Sequence, residues 1–401
     1  MSARPGVTII VGGRFHAFDL AKGLHERGWL HRIITNYPRF KAESWGLPPE
    51  KIVALPAAFV VEQAARRLLG RRAVRLQLFV HTLFARGAAR RLGEPALVHG
   101  WSSYSEPSIA RAHAAGRPFV LERGSAHMTT QCELLQHEQR LLGITGAPTH
   151  PGIVEMELRE YAAADRIATP SQFVLGTFRA RGVPEAKLGY NRLGVDLGAF
   201  AADAGPDTGG ARPFRIVYAG QLSFRKGIHY LCEAFRLAAL PDAELVLVGA
   251  AQPETPALLG APHPAIRTPG RVPQRELAAI YRTAEVFVIA SIEEGMAMVQ
   301  AQALACGLPL ICTTNTGGED LLALGGPPRE AGGATAIREY PAGYVTPIRD
   351  PAALAECFRR LHADAALRAA KRAAALALRE HRLDWGAYAE RAIADYERLR
   401  R

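Results

Sequence analysis

The chain has 401 residues, of which 48% are hydrophobic and 22% charged. This length is sufficient for two domains that each bury a core, and the composition excludes a disordered or low-complexity protein. The formal net charge of +11 predicts an anionic partner, which the sign alone leaves open as nucleic acid, an anionic membrane or a phosphorylated small molecule.

The apolar runs are shorter than the roughly 18 residues of a membrane-spanning helix, and the N-terminus has no signal-peptide pattern. We therefore expect a cytoplasmic protein. The five cysteines are scattered, without CxxC pairs or histidines at zinc-ligand spacing. They predict buried thiols and no metal site.

Short apolar runs that end in small residues alternate with helical segments along the first half. The strand-like runs are "VTIIVGG" (7–13), "PALVHG" (95–100), "PFVLERG" (118–124) and "RIATP" (166–170). Helical spacing follows the first, second and fourth of them. This alternation predicts a parallel sheet with helices on both faces.

A glycine- and proline-rich stretch, residues 201–213, predicts a linker. Beyond it the alternation begins again, with strand-like runs at residues 214–220, 243–249, 285–291 and 308–314. The predicted fold is therefore α/β, with two doubly wound sheets whose strand ends face one cleft.

This pattern predicts two domains, residues 1–203 and 204–383. In the last segment, four large side chains recur at helical spacing: Trp385, Tyr388, Ile393 and Tyr396. They predict a helix over residues 384–401 that crosses back and packs on the first domain.

A basic pair, Arg225 and Lys226, lies on the loop that leaves the first strand of the second half, directly before a helix. Free backbone N–H groups and the positive end of the helix dipole favour an anion there, and the two cations would add direct charge for a diphosphate. A solvated basic loop is the alternative interpretation.

A second loop of the same kind precedes an apolar helix that ends before Gly307. It carries Glu293, Glu294 and Gly295. Gln302 lies about two helical turns beyond Glu294 on nearly the same face, so that both side chains could contact one extended ligand. Glu293 has no assigned role, and we expect it to be exposed.

Two features of the first half could also contact a ligand. His127, which follows "PFVLERG", could bind a sugar hydroxyl or a transferring oxygen, or could be structural. Gly12 and Gly13 form a turn that lets a ligand approach the backbone closely, although the stretch lacks the full GxGxxG pattern of a dinucleotide site.

Several stretches of the sequence, taken in their order along the chain, resemble those of a known protein family. In the second half they are "GQLSFRKGIHYLCEAF", "RVPQRELAAIYRTAEVFVIASIEEGMAMVQAQALACGLPLICTTNTGGEDLL" and "GYVTPIRDPAALAECFRRL". The chain resembles the family 4 glycosyltransferases (GT4), which have the GT-B fold. The first half is similar through "VGGRFHAFDLAKGLHERG", "EYAAADRIATPSQFV" and "NRLGVDLGAF". The resemblance covers nearly the whole chain and is most specific in the second half.

The resemblance implies two Rossmann-like domains, a first that binds an acceptor and a second that holds a nucleotide-sugar donor. It implies transfer with retention of the anomeric configuration and without a required metal or cofactor. Catalysis would involve His127 near the reacting centre, Glu294 near the donor sugar, and Arg225 and Lys226 against the leaving diphosphate. The donor site would comprise Gly12, Gly13, Gln221, Arg225, Lys226, Glu294, Gly295, Met296, Ala297, Met298 and Gln302.

Four positions depart from what many members of the family carry. Gln221 replaces an arginine, Ala290 a proline, Ala297 a glycine, and Gln302 the glutamate that grips the ribose hydroxyls. An amide makes neutral instead of charge-assisted hydrogen bonds, so we expect weaker donor binding. These changes keep open a catalytically weakened scaffold or partner subunit as the alternative to an enzyme.

Residues 57–93 carry eight arginines and one acid, Glu62, interleaved with apolar side chains. Such a basic amphipathic helix suits the interface of an anionic membrane, whereas a core-facing helix with solvated arginines is the alternative. Nucleic acid is disfavoured because no binding module or aromatic platform accompanies the charge.

From the resemblance we expect an enzyme that moves a sugar from a nucleotide-sugar donor to a glycan or lipid-linked acceptor in cell-surface polysaccharide or glycolipid biosynthesis. It would act in the cytoplasm or at the inner face of the membrane. A soluble sugar or sugar phosphate is the alternative acceptor, and it would make the basic helix incidental.

Gln302 provides a test of the donor site. If its helix faces the ribose, Gln302→Glu restores charge-assisted hydrogen bonds and tightens nucleotide binding by about 1 kcal/mol, or about fivefold. Titration calorimetry with a nucleoside diphosphate measures the change. An unaltered dissociation constant would show that the helix does not face the ribose.

Overall fold

The computed structural model describes residues 6–69, 74–147, 149–200, 212–330 and 336–400. Within them the chain forms two mainly parallel β-sheets, each surrounded by helices. This arrangement confirms the predicted α/β fold. The predicted boundary between residues 203 and 204 lies outside the described ranges.

In the described residues the first sheet has seven strands, all paired in parallel. They are β1 (Val7–Val11), β2 (Leu30–Thr35), β3 (Ile52–Ala54), β4 (Leu97–Trp101), β5 (Phe119–Glu122), β6 (Arg166–Thr169) and β7 (Leu188–Tyr190). Their order across the sheet is β3-β2-β1-β4-β5-β6-β7. Every side chain of β1 is buried, as expected for a parallel sheet that is covered on both faces.

The second sheet has eight strands in the described part of the chain. They are β8 (Phe214–Ala219), β9 (Ala243–Val248), β10 (Ile266–Gly270), β11 (Val286–Ile289), β12 (Leu310–Thr313), β13 (Arg329–Glu330), β14 (Arg338–Tyr340) and β15 (Gly343–Thr346). Their order is β10-β9-β8-β11-β12-β15-β14-β13, and β14 and β13 pair antiparallel at one edge.

The α-helices pack around these sheets. They are α1 (Ala17–Glu26), α2 (Arg39–Glu43), α3 (Pro56–Leu69), α4 (Gln77–Ala89), α5 (Glu106–Ala114), α6 (Met128–Leu141), α7 (Pro151–Ala163), α8 (Gln172–Arg179), α9 (Ile228–Ala238), α10 (Thr255–Leu259), α11 (Gln274–Arg282), α12 (Met298–Ala305), α13 (Gly318–Leu322), α14 (Pro351–Ala363), α15 (Ala365–Ala377) and α16 (Trp385–Leu399).

The prediction of a single basic helix within residues 57–93 is wrong, because this segment forms α3 and α4, which pack against each other. Residues 70–73 between them lie outside the described part.

The strand order reverses between β1 and β4 in the first sheet and between β8 and β11 in the second. Ligands of open α/β sheets bind at such points, beyond the carboxyl ends of the strands. Loops from these ends of the two sheets touch, since the amide of Ala126 after β5 donates to Glu293 after β11 over 2.8 Å. The fold therefore places strand ends of both halves around one cleft.

The last helix, α16, packs on α1 and buries Tyr388 and Tyr396 in the core of the first half. His99 lies behind it, with Nδ1 2.5 Å from the Tyr396 hydroxyl and Nε2 3.1 Å from Glu122. His16 Nε2 lies 3.0 Å from the other oxygen of the same carboxylate. The predicted return of the C-terminal helix to the first half is confirmed, and this buried network fastens it there.

Two negative findings apply to the described residues. None of their helices is both long enough and apolar enough to cross a membrane. Their cysteines form no disulfide, and the predicted burial of the thiols is confirmed for all but Cys132, which is partly exposed.

Glu122 provides a test of the network beneath α16. Burial alone would raise the pKa of its carboxyl, but hydrogen bonds from His16 and His99 lower that pKa to about 2. Because an ordinary glutamate has a pKa near 4.5, the contribution of Glu122 to stability is present above about pH 4.5 and is lost as the pH falls towards 2.

We expect Glu122→Gln to lower the free energy of unfolding by about 3 kcal/mol at pH 7, since it leaves buried partners without their charge. Urea denaturation measures this value. Glu397→Gln on an exposed position of α16 is the control and should change it by less than about 0.5 kcal/mol. Equal effects of the two substitutions would contradict the role of the network.

Candidate active site

The loop between β11 and α12 carries most of the predicted donor residues, and the next loop of the sheet holds its backbone. The amide of Glu294 donates to the carbonyl oxygen of Asn315 over 2.9 Å, and the amide of Ala297 to that of Thr316 over 3.4 Å. Asn315 Nδ2 donates in turn to the carbonyl oxygen of Ile292 over 2.9 Å. The loop after β12 thus fixes the backbone of the predicted donor loop.

The basic pair lies on a 3-10 turn, Phe224–Lys226, between β8 and α9. Gly227 ends the turn with φ +66°, so close to Ala290 that a Cβ would overlap its carbonyl oxygen. The amide of Ile292 donates to the carbonyl oxygen of Arg225 over 2.9 Å. A glycine at this position lets the basic turn pack directly against the end of β11.

The two cations meet the two carboxylates of the neighbouring loop. Lys226 Nζ contacts the carboxylate of Glu294. Arg225 Nη2 lies 2.8 Å from Glu293 Oε2. Burial is the largest cause that lowers the pKa of Lys226 to about 7, and the positive charge of Arg225 is the next. The negative charge of Glu293 acts in the opposite direction and raises this pKa. The cluster combines cations suited to a diphosphate with a carboxylate able to accept hydrogen bonds from sugar hydroxyls.

The expectation that Glu293 is exposed is wrong. Its side chain has no exposed surface, because the loop after β5 of the first half covers it. Glu293 Oε1 accepts the hydrogen bond from the amide of Ala126, 167 positions away in sequence. No local pattern in the sequence could have revealed this contact.

Gly12 and Gly13 lie directly beyond the carboxyl end of β1, where the order of the first sheet reverses. A Cβ on Gly12 would overlap the ring of Tyr104. Gly13 has φ +108°, and its amide donates to Asn36 Oδ1 over 2.7 Å. Gly12 is buried and Gly13 partly exposed, so the backbone at Gly13 is the more accessible of the two.

His127 is the N-cap of α6, and its ring packs against Tyr161 and Phe178 with centroid distances of 5.0 Å. Its Nδ1 accepts a hydrogen bond from the amide of Thr129 over 3.2 Å. Burial lowers the pKa of the imidazole to about 4, so the ring is neutral at pH 7. Among the described residues no hydrogen bond joins this ring to the second half, although the preceding residue, Ala126, contacts Glu293 of the charged cluster through its amide.

The remaining predicted donor residues differ in exposure. Met296 is buried in the hydrophobic core of the first half, whereas Met298 and Gln221 are exposed. Gln302 on α12 is partly exposed, and its side chain makes no hydrogen bond to any other residue that the structure describes. In the same ranges no group of three histidine, cysteine or acidic side chains is placed to hold a metal ion.

Polar residues that the sequence did not single out join the two halves. Ser171 Oγ donates to the carbonyl oxygen of Gly295 over 2.7 Å. Glu138 of α6 is buried between His229 Nε2 at 2.8 Å and Arg349 Nε at 2.7 Å. Periodicity could not reveal these residues, because their partners lie far along the chain.

Two family models match the chain, one in each half. Residues 10–199 match the model described as Glycosyltransferase Family 4, and residues 213–364 match the model described as Glycosyl transferases group 1. The chain belongs to the family 4 glycosyltransferases. The resemblance carried by its motifs is thereby confirmed.

Curated relatives of this glycosyltransferase are distant. It is 24% identical over 228 residues to WcaL of Escherichia coli (strain K12), a glycosyltransferase assigned to colanic acid biosynthesis, and the match covers 53% of this chain and 52% of WcaL. It is 27% identical over 324 residues to a GDP-mannose-dependent α-mannosyltransferase of Mycobacterium tuberculosis (strain CDC 1551 / Oshkosh), covering 76% of this chain and 69% of that protein. The chain spans about half the length of WcaL and of its Salmonella typhimurium counterpart.

Solved structures of the same fold extend over nearly the whole glycosyltransferase. Sucrose-phosphate synthase from Thermosynechococcus elongatus has a TM-score of 0.67 at 18% identity, covering 99% of both chains. HepE of Anabaena in complex with UDP has a TM-score of 0.65 at 15% identity, covering 97% of this chain and 98% of HepE. At these identities the likeness shows the shared fold.

The lowered pKa of Lys226 predicts a pH dependence. A diphosphate binds the protonated ammonium, so affinity for a nucleoside diphosphate should fall between pH 7 and 9 by up to about tenfold per pH unit as Lys226 loses its proton. Lys226→Arg keeps its charge throughout this range and should remove the dependence. Titration calorimetry at pH 7, 8 and 9 compares the two proteins, and parallel curves would show that Lys226 is not the responsible group.

Proposed function

We propose that this chain is a retaining glycosyltransferase that transfers a sugar from a nucleotide-sugar donor to a glycan or lipid-linked acceptor in cell-surface polysaccharide or glycolipid biosynthesis. The observation that carries the proposal is the cluster of Arg225, Lys226 and Glu294 beyond the ends of β8 and β11, where the two halves meet. Supporting comparisons are the relative that depends on GDP-mannose, the relative assigned to colanic acid biosynthesis, and HepE, solved with UDP and with UDP-glucose.

In this proposal the second half neutralises the leaving group. Arg225 and Lys226 stabilise the negative charge that grows on the diphosphate as its bond to the sugar breaks. The site is partly buried, and the low local dielectric strengthens the attraction relative to water. The two cations supply positive charge that a metal ion could otherwise provide, so we propose that the reaction needs neither metal nor cofactor.

Other side chains would orient the donor. The Glu294 carboxylate accepts hydrogen bonds from sugar hydroxyls, and the amide of Gln302 binds the ribose without the help of a charge. The backbone of residues 295–298 and the turn at Gly13 approach the donor from its two sides. His127, which is neutral and nearly buried, contributes at most a neutral hydrogen bond at the reacting centre.

A panel of UDP, GDP, ADP and TDP in titration calorimetry, with hydrolysis of the matching nucleotide sugars, tests the proposal. We expect at least one diphosphate to bind, Arg225→Ala to weaken that binding at least about tenfold, and EDTA to leave turnover unchanged. Glu294→Ala should reduce turnover. Arg236→Ala, at the other end of α9, is the matched control and should bind normally. Binding of none of the four would favour the scaffold alternative.

We also propose that the surface of α3 and α4 binds an anionic membrane, from the cytoplasmic side, where a lipid-linked acceptor would be reached. Val60, Leu68 and Phe79 are 61%, 81% and 58% exposed. Arg67 and Arg75 are exposed in the same segment. Apolar side chains that enter the lipid interface and cations that meet anionic headgroups strengthen each other's binding.

Flotation with vesicles tests this surface. The chain should float with vesicles containing phosphatidylglycerol and not with pure phosphatidylcholine. The double substitution Leu68→Ser and Phe79→Ser should reduce the floated fraction at least about fivefold, because it removes apolar surface from the interface. Leu237→Ser, at a 51% exposed position of α9, is the control. Equal partitioning to both kinds of vesicle would favour a soluble sugar or sugar phosphate as the acceptor.

A further inference from the structure

Glu293 is a fully buried carboxylate at the junction of the two halves, beside the proposed diphosphate site. We infer that Glu293 is a positioning residue, which makes the orientation of the Arg225 guanidinium depend on closure of the cleft. The inference rests on the proposed function, since it concerns the arginine that would bind the donor diphosphate.

One carboxylate connects the two halves. Glu293 Oε1 accepts a hydrogen bond from the amide of Ala126 in the first half over 2.8 Å. Glu293 Oε2 lies 2.8 Å from Arg225 Nη2 in the second half. The Glu293 carbonyl oxygen also accepts a hydrogen bond from Arg225 Nε over 3.1 Å. Glu293 therefore contacts one edge of the Arg225 guanidinium through two of its oxygen atoms and the first half through a third.

These contacts leave one nitrogen of the Arg225 guanidinium available for a ligand. Arg225 Nη2, which forms an ion pair with Glu293 Oε2, donates its hydrogen bond to Ser125 Oγ of the first half over 3.2 Å. Within the described ranges Nη1 has no hydrogen-bond partner, and the Arg225 side chain is 31% exposed whereas that of Glu293 is completely covered. The contacts of Nε and Nη2 fix the plane of the group, and Nη1 remains for an anionic ligand.

These contacts require the closed arrangement. Gly295 lies so close to Gly124 that a Cβ would overlap the Gly124 carbonyl oxygen. Ser171 Oγ holds the carbonyl oxygen of Gly295 from the first half. If the halves move apart, water reaches the Glu293 carboxylate, its bond to Ala126 is lost, and its attraction for Arg225 weakens. Closure removes that water and restores the fixed orientation of the guanidinium.

Replacing the carboxylate by an amide separates its two functions. Glu293→Gln keeps an oxygen that can accept from the amide of Ala126 but removes the charge opposite Arg225. Glu293→Ala removes both. Glu244 is a matched buried carboxylate, paired with Arg215 and Arg267 at the opposite end of the second sheet from the cleft. Glu244→Gln controls for the general cost of losing a buried charge.

The experiment compares these variants with the wild-type chain. Turnover is measured with the nucleotide sugar that the wild type hydrolyses, affinity by calorimetry with the matching nucleoside diphosphate, and closure by hydrogen exchange at the Ala126 amide. We expect Glu293→Gln to lower turnover at least about tenfold, to change the affinity less than about threefold, and to keep Ala126 protected. Glu293→Ala should also speed exchange at Ala126, and Glu244→Gln should leave turnover within twofold.

Turnover within twofold of wild type in Glu293→Gln would overturn the inference, since an amide would then suffice and the role would be structural. Parallel losses of turnover and affinity would overturn it as well, because they would indicate a simple loss of binding. A wild-type chain that binds no nucleoside diphosphate would refute the proposed function, and the inference with it. Failure of the inference alone is recognised by a wild-type chain that is active and binds the diphosphate, together with either of the first two results for Glu293→Gln.

Discussion

Two cations held against two carboxylates, Arg225 with Glu293 and Lys226 with Glu294, form the constraint on which the rest of the site depends. Removing charges from water is costly, and the cost is offset only where each charge has a close partner. The fold meets this requirement through the left-handed Gly227, which lets the basic turn approach β11, and through the loop after β12, which fixes the backbone of the loop that carries both carboxylates. A diphosphate in the cleft would enter a site whose positive charges are already positioned.

The interface between the halves contains, outside this cluster, another buried charge that needs close partners. Glu138 has no exposed surface and is held by His229 and Arg349, and although burial alone would raise its pKa, these hydrogen bonds lower it. Glu138 lies on α6, the helix that follows the loop covering Glu293. Because displacement of the halves would leave buried charges without partners, the closed arrangement is narrowly defined.

The first half is stiffened from its other side by the end of the chain. Helix α16 supplies Tyr396 to His99, and His99 and His16 share the carboxylate of Glu122 at the end of β5. His16 follows the glycine turn after β1, and the loop covering Glu293 follows Glu122. A buried network thus ties the C-terminal helix to two of the loops that line the cleft, and it gives a physical reason for the return of the chain to the first half.

The sequence by itself determined the alternation of strands and helices, the parallel sheets, the return of the last helix and the basic pair beyond a strand end. These features depend on local properties, namely apolar runs closed by small residues and helical spacing, which neighbouring residues express without distant partners. The tertiary structure alone decided that the described residues within 57–93 form two helices that pack against each other, that His127 packs among aromatic rings, and above all that Glu293 is buried. The partners of Glu293 and Glu138 lie on loops and helices of the opposite half, and no local pattern records contacts that exist only when the two halves meet.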